Sequence, residues 1–520
     1  MRGARRRYSN SRGICGANCG SGANYGLGRL PRRPLAGGQM SLARPFTTPR
    51  PGSYATAPPP VKRRTAGHLQ LPRGPRPLIP PALLLKFQRD TPAFLLNLRD
   101  TYGDSSSFFL AGQLFIGLFS PAMVYEVTTA QQSSFIKGVG FARMRKVLGE
   151  GLLTNEEPIH MRHRRMMQPP FQKSRLNGYA TLMTDLTTSQ IGAWGDDEVV
   201  LLAPAMMRLT LSIVSETLFG TDALRFAEQI GEHMGVAIDR IERTMLPGLD
   251  RFDNVPLPYW RKFHESADVL AEIAEELIAE RRATIDPDNT TDLLSLLLSL
   301  RDEDGSQFTD EEIRDEALTL ILSGHETTAN MLTWAFSWLA AHPDVMRALQ
   351  DEADATPWIL QGRAPTLEEA MRAEVAGQVL AESLRMAPPV WVAPRRALTD
   401  LDICGVKVPA GAHVLISQYV TQRDPRWFPD PHTWEPARWS DDFVSTLPRG
   451  AYFPFGAGTR KCLGEHFGLL EARIILLVAA HQVTWEPADP NAPMPKAEPR
   501  ATYRAAGDVP IRVRRRSGCG

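Results

Sequence analysis

The chain has 520 residues, of which 43% are hydrophobic, so it can bury a large apolar core and is not disordered as a whole. Its five cysteines are too few and too scattered for a disulfide framework, which excludes a small disulfide-stabilised secreted fold and favours a reducing cytoplasm. The 59 basic and 58 acidic residues nearly cancel over the chain, although the basic ones are concentrated at its start.

Residues 1–80 form a basic leader without a single acidic residue. It is rich in Arg, Gly, Pro and Ser, which predicts disorder. It lacks the apolar stretch of a secretory signal or a membrane anchor, whereas its composition also fits an organelle transit peptide. Translation that begins at Met40 is a further alternative. No aromatic residues interleave with the basic ones in a nucleic-acid-binding pattern, so no nucleic-acid partner is predicted.

Two cationic side chains are expected on one helix face near residue 160. His160 and Arg164 are four positions apart and therefore share a face. Two donors on one turn suit a pair of carboxylates on a ligand. A solvated basic helix face is the alternative, and Arg162 and Arg165 are expected to face solvent.

A long helix from about residue 313 to residue 339 is apolar on all sides, which indicates a helix that crosses the protein interior. Burying Glu326 and Thr327 there is costly unless they have partners or a task. Because Gly324 precedes them, a hydroxyl group or a water is expected to enter the backbone ladder and open a local bulge. The alternative is a turn rich in Ser and Thr whose hydroxyls bond back to their own helix.

An acid and a base follow at Glu382 and Arg385, three apart on the next predicted helix. Such a pair is weak as a signal, because most of these pairs are solvated. Arg438, in the motif Trp434 to Trp439, adds weight because it can complete a buried Glu-Arg-Arg cluster. These three residues are predicted to support folding.

The segment Phe455 to Gly464 reads F-x-x-G-x-R-x-C-x-G, a frame that presents the thiolate of Cys462 to a haem iron. Glycines let backbone N–H groups approach the sulfur. Arg460 can meet a haem propionate, and Phe455 can shield the sulfur from water. An ordinary buried cysteine is the alternative interpretation.

In this order and spacing, the four segments resemble the cytochrome P450 family from about Leu71 to Arg514. The resemblance implies a mainly α fold, in which a large helical domain and a smaller β-rich region surround one buried haem b. Length alone suggests several domains, but the resemblance implies one catalytic domain over residues 81–520. It also makes Arg395 a further propionate ligand, with Arg396 as the alternative. His160 departs from the tryptophan that many members have at that position.

The resemblance implies a monooxygenase that uses O2 and electrons from NAD(P)H, with Cys462 as the axial iron ligand. Glu326 and Thr327 would hold and relay protons. A separate ferredoxin or flavodoxin with its reductase would supply the electrons, and Lys461 would lie on the face where an acidic donor docks. A peroxide-using enzyme or a non-catalytic haem sensor would not need the Glu-Thr pair.

The substrate is predicted to be long and apolar. Residues 386–394, which usually border the pocket in this family, carry no polar side chain. Runs around Trp334, Trp391 and Tyr419 resemble those of bacterial carotenoid hydroxylases, which implies oxygenation of the β-ionone ring of a carotenoid. Fatty acids and terpenoids are the alternatives. A carotenoid would bring this cytoplasmic monomer into transient contact with membranes.

Overall fold

The computed structural model of the chain describes residues 58–63, 69–76, 80–138, 140–220, 225–244, 258–284 and 292–516. Helices dominate these residues. Their bounds are α1 (Pro80–Arg89), α2 (Thr91–Tyr102), α3 (Pro121–Tyr125), α4 (Phe141–Leu148), α5 (Ile159–Met167), α6 (Lys173–Gly192), α7 (Leu202–Phe219), α8 (Ala227–Thr244), α9 (Pro258–Thr284), α10 (Leu293–Ser299), α11 (Asp310–Ala341), α12 (Pro343–Ala355), α13 (Pro357–Leu360), α14 (Leu367–Met371), α15 (Glu374–Met386), α16 (Gln418–Thr421), α17 (Asp441–Thr446) and α18 (Glu465–Gln482).

The strands are short and form small sheets beside the helices. Their bounds are β1 (Ser105–Leu110), β2 (Gln113–Leu118), β3 (Phe135–Lys137), β4 (Glu198–Leu201), β5 (Ala393–Ala397), β6 (Leu401–Ile403), β7 (Val406–Val408), β8 (His413–Ile416), β9 (Val483–Pro487), β10 (Ala497–Pro499), β11 (Tyr503–Ala505) and β12 (Pro510–Arg515). The predicted class, a large helical part with a smaller β-rich region, is confirmed.

The long helix α11 runs through the core. A capping box at Thr309 and Glu312 starts it by satisfying free backbone N–H groups of its first turn. Its apolar side chains are buried on nearly all sides, against α7, α9 and α18 among others. A Cβ atom on Gly324 would lie 2.7 Å from Cγ2 of Val214, so this glycine lets α7 approach α11 closely.

A five-stranded sheet in the order β1-β2-β8-β5-β3 brings distant parts of the sequence together. Strands β3 and β5 pair in antiparallel register, so that Lys137 lies opposite Arg395 and Ile136 opposite Arg396. Because side chains alternate between the two faces of a strand, Lys137 and Arg395 share one face. This register places two basic residues, far apart in sequence, next to each other.

Part of the predicted leader belongs to the folded body. The backbone N–H of Leu114 on β2 donates to the carbonyl oxygen of Val61 at 2.9 Å. The backbone N–H of Ser107 on β1 donates to the carbonyl oxygen of Arg73 at 3.2 Å. Residues 58–63 and 69–76 therefore run beside β1 and β2, in contrast to the disorder expected for all of residues 1–80. Residues 1–57, with the alternative start at Met40, lie outside the described residues.

Among the described ranges, the helices that are long enough to cross a membrane are not apolar enough to do so, and the apolar ones are too short.

Candidate functional site

Cys462 lies in the loop that precedes α18 and is fixed against earlier parts of the chain. Its backbone N–H donates to the carbonyl oxygen of Phe455 at 2.8 Å. Gly458 has a φ of 70°, and a Cβ atom there would lie 1.8 Å from the carbonyl oxygen of Thr128. Only glycine fits that position, because it tolerates positive φ and leaves room for the neighbouring backbone. The loop thus presents Cys462 from a rigid frame.

The thiol of Cys462 is accessible and yet closely surrounded by protein. Its side chain is exposed by surface area, whereas burial raises the pKa of the thiol above its ordinary value. A sulfur that faces a space enclosed by protein has both properties. A hydrogen bond from the backbone N–H of Gly464 and the charges of Arg164 and Lys461 oppose the effect of burial on the pKa. These groups would stabilise a thiolate at this position.

Partly buried basic groups cluster around Arg460 in the same loop. Nη2 of Arg460 donates to Oε2 of Glu156 at 2.5 Å, whereas its buried Nη1 has no hydrogen-bond partner among the residues that the structure describes. Arg395 forms no salt bridge within the described ranges, and burial together with the charge of Arg460 lowers its pKa to about 10. Burial and the same charge hold the pKa of Lys137 well below its ordinary value. Nζ of Lys137 donates to the backbone carbonyls of Leu152 and Asn155, but Glu156 is, in the described part of the chain, the one carboxylate whose charge acts on both Lys137 and Arg395 besides pairing with Arg460.

This imbalance fits the two propionates of a haem. Buried charges are costly unless they are paired, and an orphaned guanidinium N–H lacks the acceptor that a propionate oxygen would provide. Burial, followed by the charges of Lys137 and Arg460, lowers the pKa of His160 to about 3, and nearby propionates would oppose those charges. The residues present therefore suit haem, with the accessible thiol of Cys462 beside them.

His160 and Arg164, which the sequence assigns to one pair of carboxylates, have different partners in the structure. Nδ1 of His160 lies 3.0 Å from Oε1 of Glu157. Nη1 of Arg164 donates to the carbonyl oxygen of Lys461 at 2.7 Å, beside Cys462. Arg164 therefore supports the cysteine loop directly, whereas His160 lies among the cationic groups.

The strand register distinguishes Arg395 from its alternative, Arg396. Arg395 shares a face with Lys137, whereas Arg396 points to the other face and donates to the carbonyl oxygen of Pro58. The cationic cluster therefore includes Arg395 and not Arg396.

Glu326 and Thr327 lie on α11, but the expected bulge does not form. The helix is α-helical throughout Asp310–Ala341, and Oγ1 of Thr327 donates to the carbonyl oxygen of Ser323 at 2.6 Å. Glu326 is buried, and its Oε1 accepts a hydrogen bond from Oγ1 of Thr502 at 2.6 Å. The alternative interpretation, a hydroxyl bonded back to its own helix, describes Thr327. Gly324 serves the packing of α7 instead of opening the backbone ladder.

Glu382, Arg385 and Arg438 form the predicted cluster. Glu382 and Arg385 are fully buried, and two parallel hydrogen bonds of 2.8 and 2.9 Å join them. Nε of Arg438 donates to Oε1 of Glu382 at 3.1 Å, and Nε1 of Trp439 donates to its Oε2 at 2.9 Å. The remaining donors of Arg385 meet backbone carbonyls, among them those of Gln422 and Thr433. Glu382 and Arg385 are thus shielded from solvent and hydrogen-bonded to each other, whereas Arg438 lies at the edge of the group, where its Nη2 is 3.0 Å from Oε2 of the exposed Glu435; a structural role fits this arrangement.

Several residues of this site carry no recognisable signal in the sequence. Lys137 and Glu156 join the cationic cluster through strand pairing and a loop, and Thr502 reaches Glu326 from a hairpin 176 positions away. No local motif marks these residues. They could have been identified only from knowledge of which strand pairs with β3 and where the β10–β11 hairpin lies.

His163 is a further residue that the sequence does not single out, although it lies between His160 and Arg164. Its Nδ1 is 2.6 Å from Oε1 of buried Glu316 on α11. Burial lowers the pKa of His163, but hydrogen bonds to Glu312 and Glu316 outweigh that effect and raise it to about 9. Arg162, expected in solvent, is partly buried and pairs with Glu312 at 2.9 Å. Together these ion pairs tie α5 to α11.

Comparison with protein families gives one match over most of the chain. The profile described as "Cytochrome P450" matches residues 71–504. Among solved structures, the heme domain of cytochrome P450DA superposes with a TM-score of 0.76 at 25% sequence identity. That alignment covers 86% of this chain and 98% of the other.

Several similar curated proteins carry names that refer to terpene oxygenation. Cyclooctatin synthase of Streptomyces melanosporofaciens is 32% identical over 69% of this chain and 78% of its own length. Pentalenene oxygenase of Streptomyces avermitilis is 32% identical over 71% of this chain and 81% of its own length. Cyclooctat-9-en-7-ol 5-monooxygenase of Streptomyces melanosporofaciens is 34% identical over 66% of this chain and 75% of its own length. The resemblance to carotenoid hydroxylases finds no support among these relatives.

Proposed function

Because this chain belongs to the cytochrome P450 family and is a monooxygenase that uses haem b, O2 and electrons from NAD(P)H, we propose that its substrate is a cyclic terpenoid hydrocarbon. The observation that carries this proposal is the apolar segment of residues 386–394, together with the names of the similar proteins. Pro388, Pro389 and Trp391 in this segment are buried, whereas Val390 is exposed. A wall without polar side chains suits a ligand that offers no charge and few hydrogen bonds.

Cys462 is proposed as the thiolate ligand and Arg460, Arg395, Lys137 and His160 as the propionate site. When bound there, the haem supplies a thiolate-ligated iron that activates O2. The protein would hold the cofactor by opposing its two negative charges with the partly buried basic groups of this cluster. Phe455 packs beside the loop and would exclude water from the sulfur.

Proton handling is assigned to Glu326 and Thr327. Monooxygenation consumes two protons for each oxygen atom that leaves as water, and they must reach a buried site. Glu326 is the buried carboxyl group of α11 next to Thr327, whose hydroxyl can reorient from the Ser323 carbonyl to a nearby acceptor. A carboxyl group and a hydroxyl group that are held in place can catalyse the reaction by transferring protons.

A separate ferredoxin or flavodoxin with its reductase is proposed as the electron donor. Lys461 is 46% exposed beside the cysteine, and an acidic carrier would compete there with its partner Glu465. A cleft of about 270 Å³ adjoins the same loop, and Lys461 and Arg473 border it. An acidic carrier suits this face, since complementary charge steers such encounters. We propose a cytoplasmic monomer, in keeping with the cysteine usage.

Replacing Thr327 by alanine should keep haem and substrate binding but separate electron consumption from product formation. Without the hydroxyl, protons arrive in the wrong order or place, and reducing equivalents leave as hydrogen peroxide. The amount of product formed per NAD(P)H consumed should fall severalfold in Thr327→Ala. In Thr327→Ser, which keeps the hydroxyl group, this ratio should stay near that of the wild type. An unchanged ratio in Thr327→Ala would mean that Thr327 only packs the helix.

The substrate class can be tested with purified holoenzyme, a ferredoxin and its reductase. A cyclic terpene hydrocarbon should shift the haem absorption spectrum and yield a product that is heavier by one oxygen atom. A carotenoid and a fatty acid serve as the other two arms, because the sequence itself favours the carotenoid and leaves the fatty acid open. Oxygenation of the carotenoid or the fatty acid alone would reject the terpenoid proposal.

Two control reactions separate the remaining classes of function. Hydrogen peroxide without NAD(P)H should support measurable product, but less than O2 with NAD(P)H, the ferredoxin and its reductase, if O2 is the natural oxidant. A haem sensor would bind ligands without consuming NAD(P)H, so steady NAD(P)H consumption with product formation argues against that alternative.

A further inference from the structure

The hydroxyl group of Thr502 joins a hairpin to the acid of α11. Thr502 lies in the turn between β10 and β11, and only 8% of it is exposed. Its Oγ1 donates to Oε1 of Glu326 at 2.6 Å and accepts from Nδ2 of Asn330 at 3.0 Å. Glu326 and Asn330 are four apart and share one face of α11. Since Asn330 occupies the acceptor side of the hydroxyl, the hydroxyl proton is directed to Glu326.

Glu326 depends on this contact. Within the part of the chain that the structure describes, Thr502 is the one side chain that donates to the Glu326 carboxyl group, and Glu326 forms no salt bridge. A buried carboxyl group without a fixed partner can adopt several rotamers. The Thr502 hydroxyl therefore determines where this carboxyl group lies.

The same hairpin turn is bonded to the apolar segment that we propose as the substrate wall. Nε1 of Trp391 donates to the carbonyl oxygen of Arg500 at 2.9 Å, and the N–H of Tyr503 donates to that of Pro389 at 2.9 Å. Nε1 of Trp334 on α11 donates to the carbonyl oxygen of Tyr503 at 3.1 Å. One turn thus connects residues 386–394 with α11 through directional hydrogen bonds.

From this arrangement we propose that Thr502 is a positioning residue, which holds Glu326 for proton transfer and couples substrate contact at residues 386–394 to that transfer. The proposal rests on the proton role of Glu326 given under the proposed function. Thr502 neither gains nor loses a proton in the cycle; it keeps its O–H and only orients the carboxyl group. A substrate that presses on the Pro389–Trp391 wall would move the turn, and with it the partner of Glu326.

The decisive comparison is Thr502→Val against Thr502→Ser in the holoenzyme, with any substrate that the wild type turns over. Valine keeps the shape but removes the hydroxyl, so product per NAD(P)H should fall severalfold and hydrogen peroxide release should rise. Serine restores the hydroxyl and should restore the ratio. Thr333→Val is the matched control, because Thr333 is a buried threonine of α11 whose hydroxyl bonds only to its own helix, at Ala329. That variant should keep the wild-type ratio.

Two further measurements distinguish positioning from a merely structural role. Product formation driven by hydrogen peroxide needs no proton delivery to O2, so Thr502→Val should retain it, whereas a damaged site would lose both reactions. Hydrogen exchange of the amides of residues 497–505, which needs no turnover, should become faster in Thr502→Val and not in Thr333→Val. Equal loss of both reactions, or a wild-type ratio in Thr502→Val, would overturn the proposal.

Asn330→Ala covers the case in which Thr502→Val fails to incorporate haem. It leaves the hydroxyl in place but frees it to rotate, so a partial loss of product per NAD(P)H is expected. A wild-type ratio in Asn330→Ala would then overturn the proposal. If no terpenoid is oxygenated but another substrate is, the substrate assignment fails while this comparison still decides the role of Thr502.

Discussion

Cys462→Ala should abolish the strongly red-shifted Soret band of the reduced carbon monoxide complex. That band requires a thiolate ligand, and Cys462 is the accessible sulfur beside the cationic cluster. Alanine occupies the same position without an atom that can bind iron. The band should therefore disappear even though the fold is kept. The loop should stay in place, because the backbone bond of residue 462 to Phe455 does not involve the side chain.

Cys404→Ala is the matched control for this experiment. Cys404 is an exposed cysteine in the turn between β6 and β7, and it has no part in the site. Its variant should keep the full band. Retention of the band in Cys462→Ala, or its loss in Cys404→Ala, would refute the assignment.

Glu382→Ala should prevent the formation of stable holoprotein. It removes the acceptor of hydrogen bonds from both arginines, from Trp439 and from the N–H of Glu435, and leaves the guanidinium of Arg385 buried without a counter-charge. Removing one partner of a buried charge pair costs about 3–5 kcal/mol, which is a large share of the stability of a typical domain. Haem content and urea unfolding would measure the loss.

Glu435→Ala is the control for Glu382→Ala. Glu435 also pairs with Arg438, at 3.0 Å, but its side chain is 55% exposed. Exposed ion pairs contribute about 0–1 kcal/mol to the free energy of unfolding. This variant should therefore be close to the wild type in holoprotein yield and in the midpoint of urea unfolding. Equal effects of the two substitutions would show that burial does not decide the importance of the Glu382 cluster.

The sequence was most informative where a function depends on neighbours along the chain. The frame around Cys462 fixes its own geometry within ten residues, and Glu382 and Arg385 meet because they are one helical turn apart. Arg438 could be added only because a second motif supplied it. These predictions needed no knowledge of how distant elements pack.

The sequence was least informative where sheet pairing or hairpin placement brings residues together. Lys137 becomes part of the cationic cluster because β3 pairs with β5, and Thr502 reaches Glu326 because the β10–β11 turn lies over α11. The expected bulge at Gly324 was wrong for a similar reason. Whether a glycine loosens a helix or admits a neighbouring helix depends on the neighbour, here Val214 of α7.

The cationic cluster has a consequence for the folding of the protein. Without haem, the fold must hold Arg460, Arg395 and Lys137 together against one carboxylate, and their mutual repulsion opposes the native state. A ligand that binds only the folded chain stabilises it in proportion to the logarithm of its concentration over its Kd. Propionates held at the proposed site would also relieve this repulsion, so cofactor loading and chain folding would form one linked equilibrium.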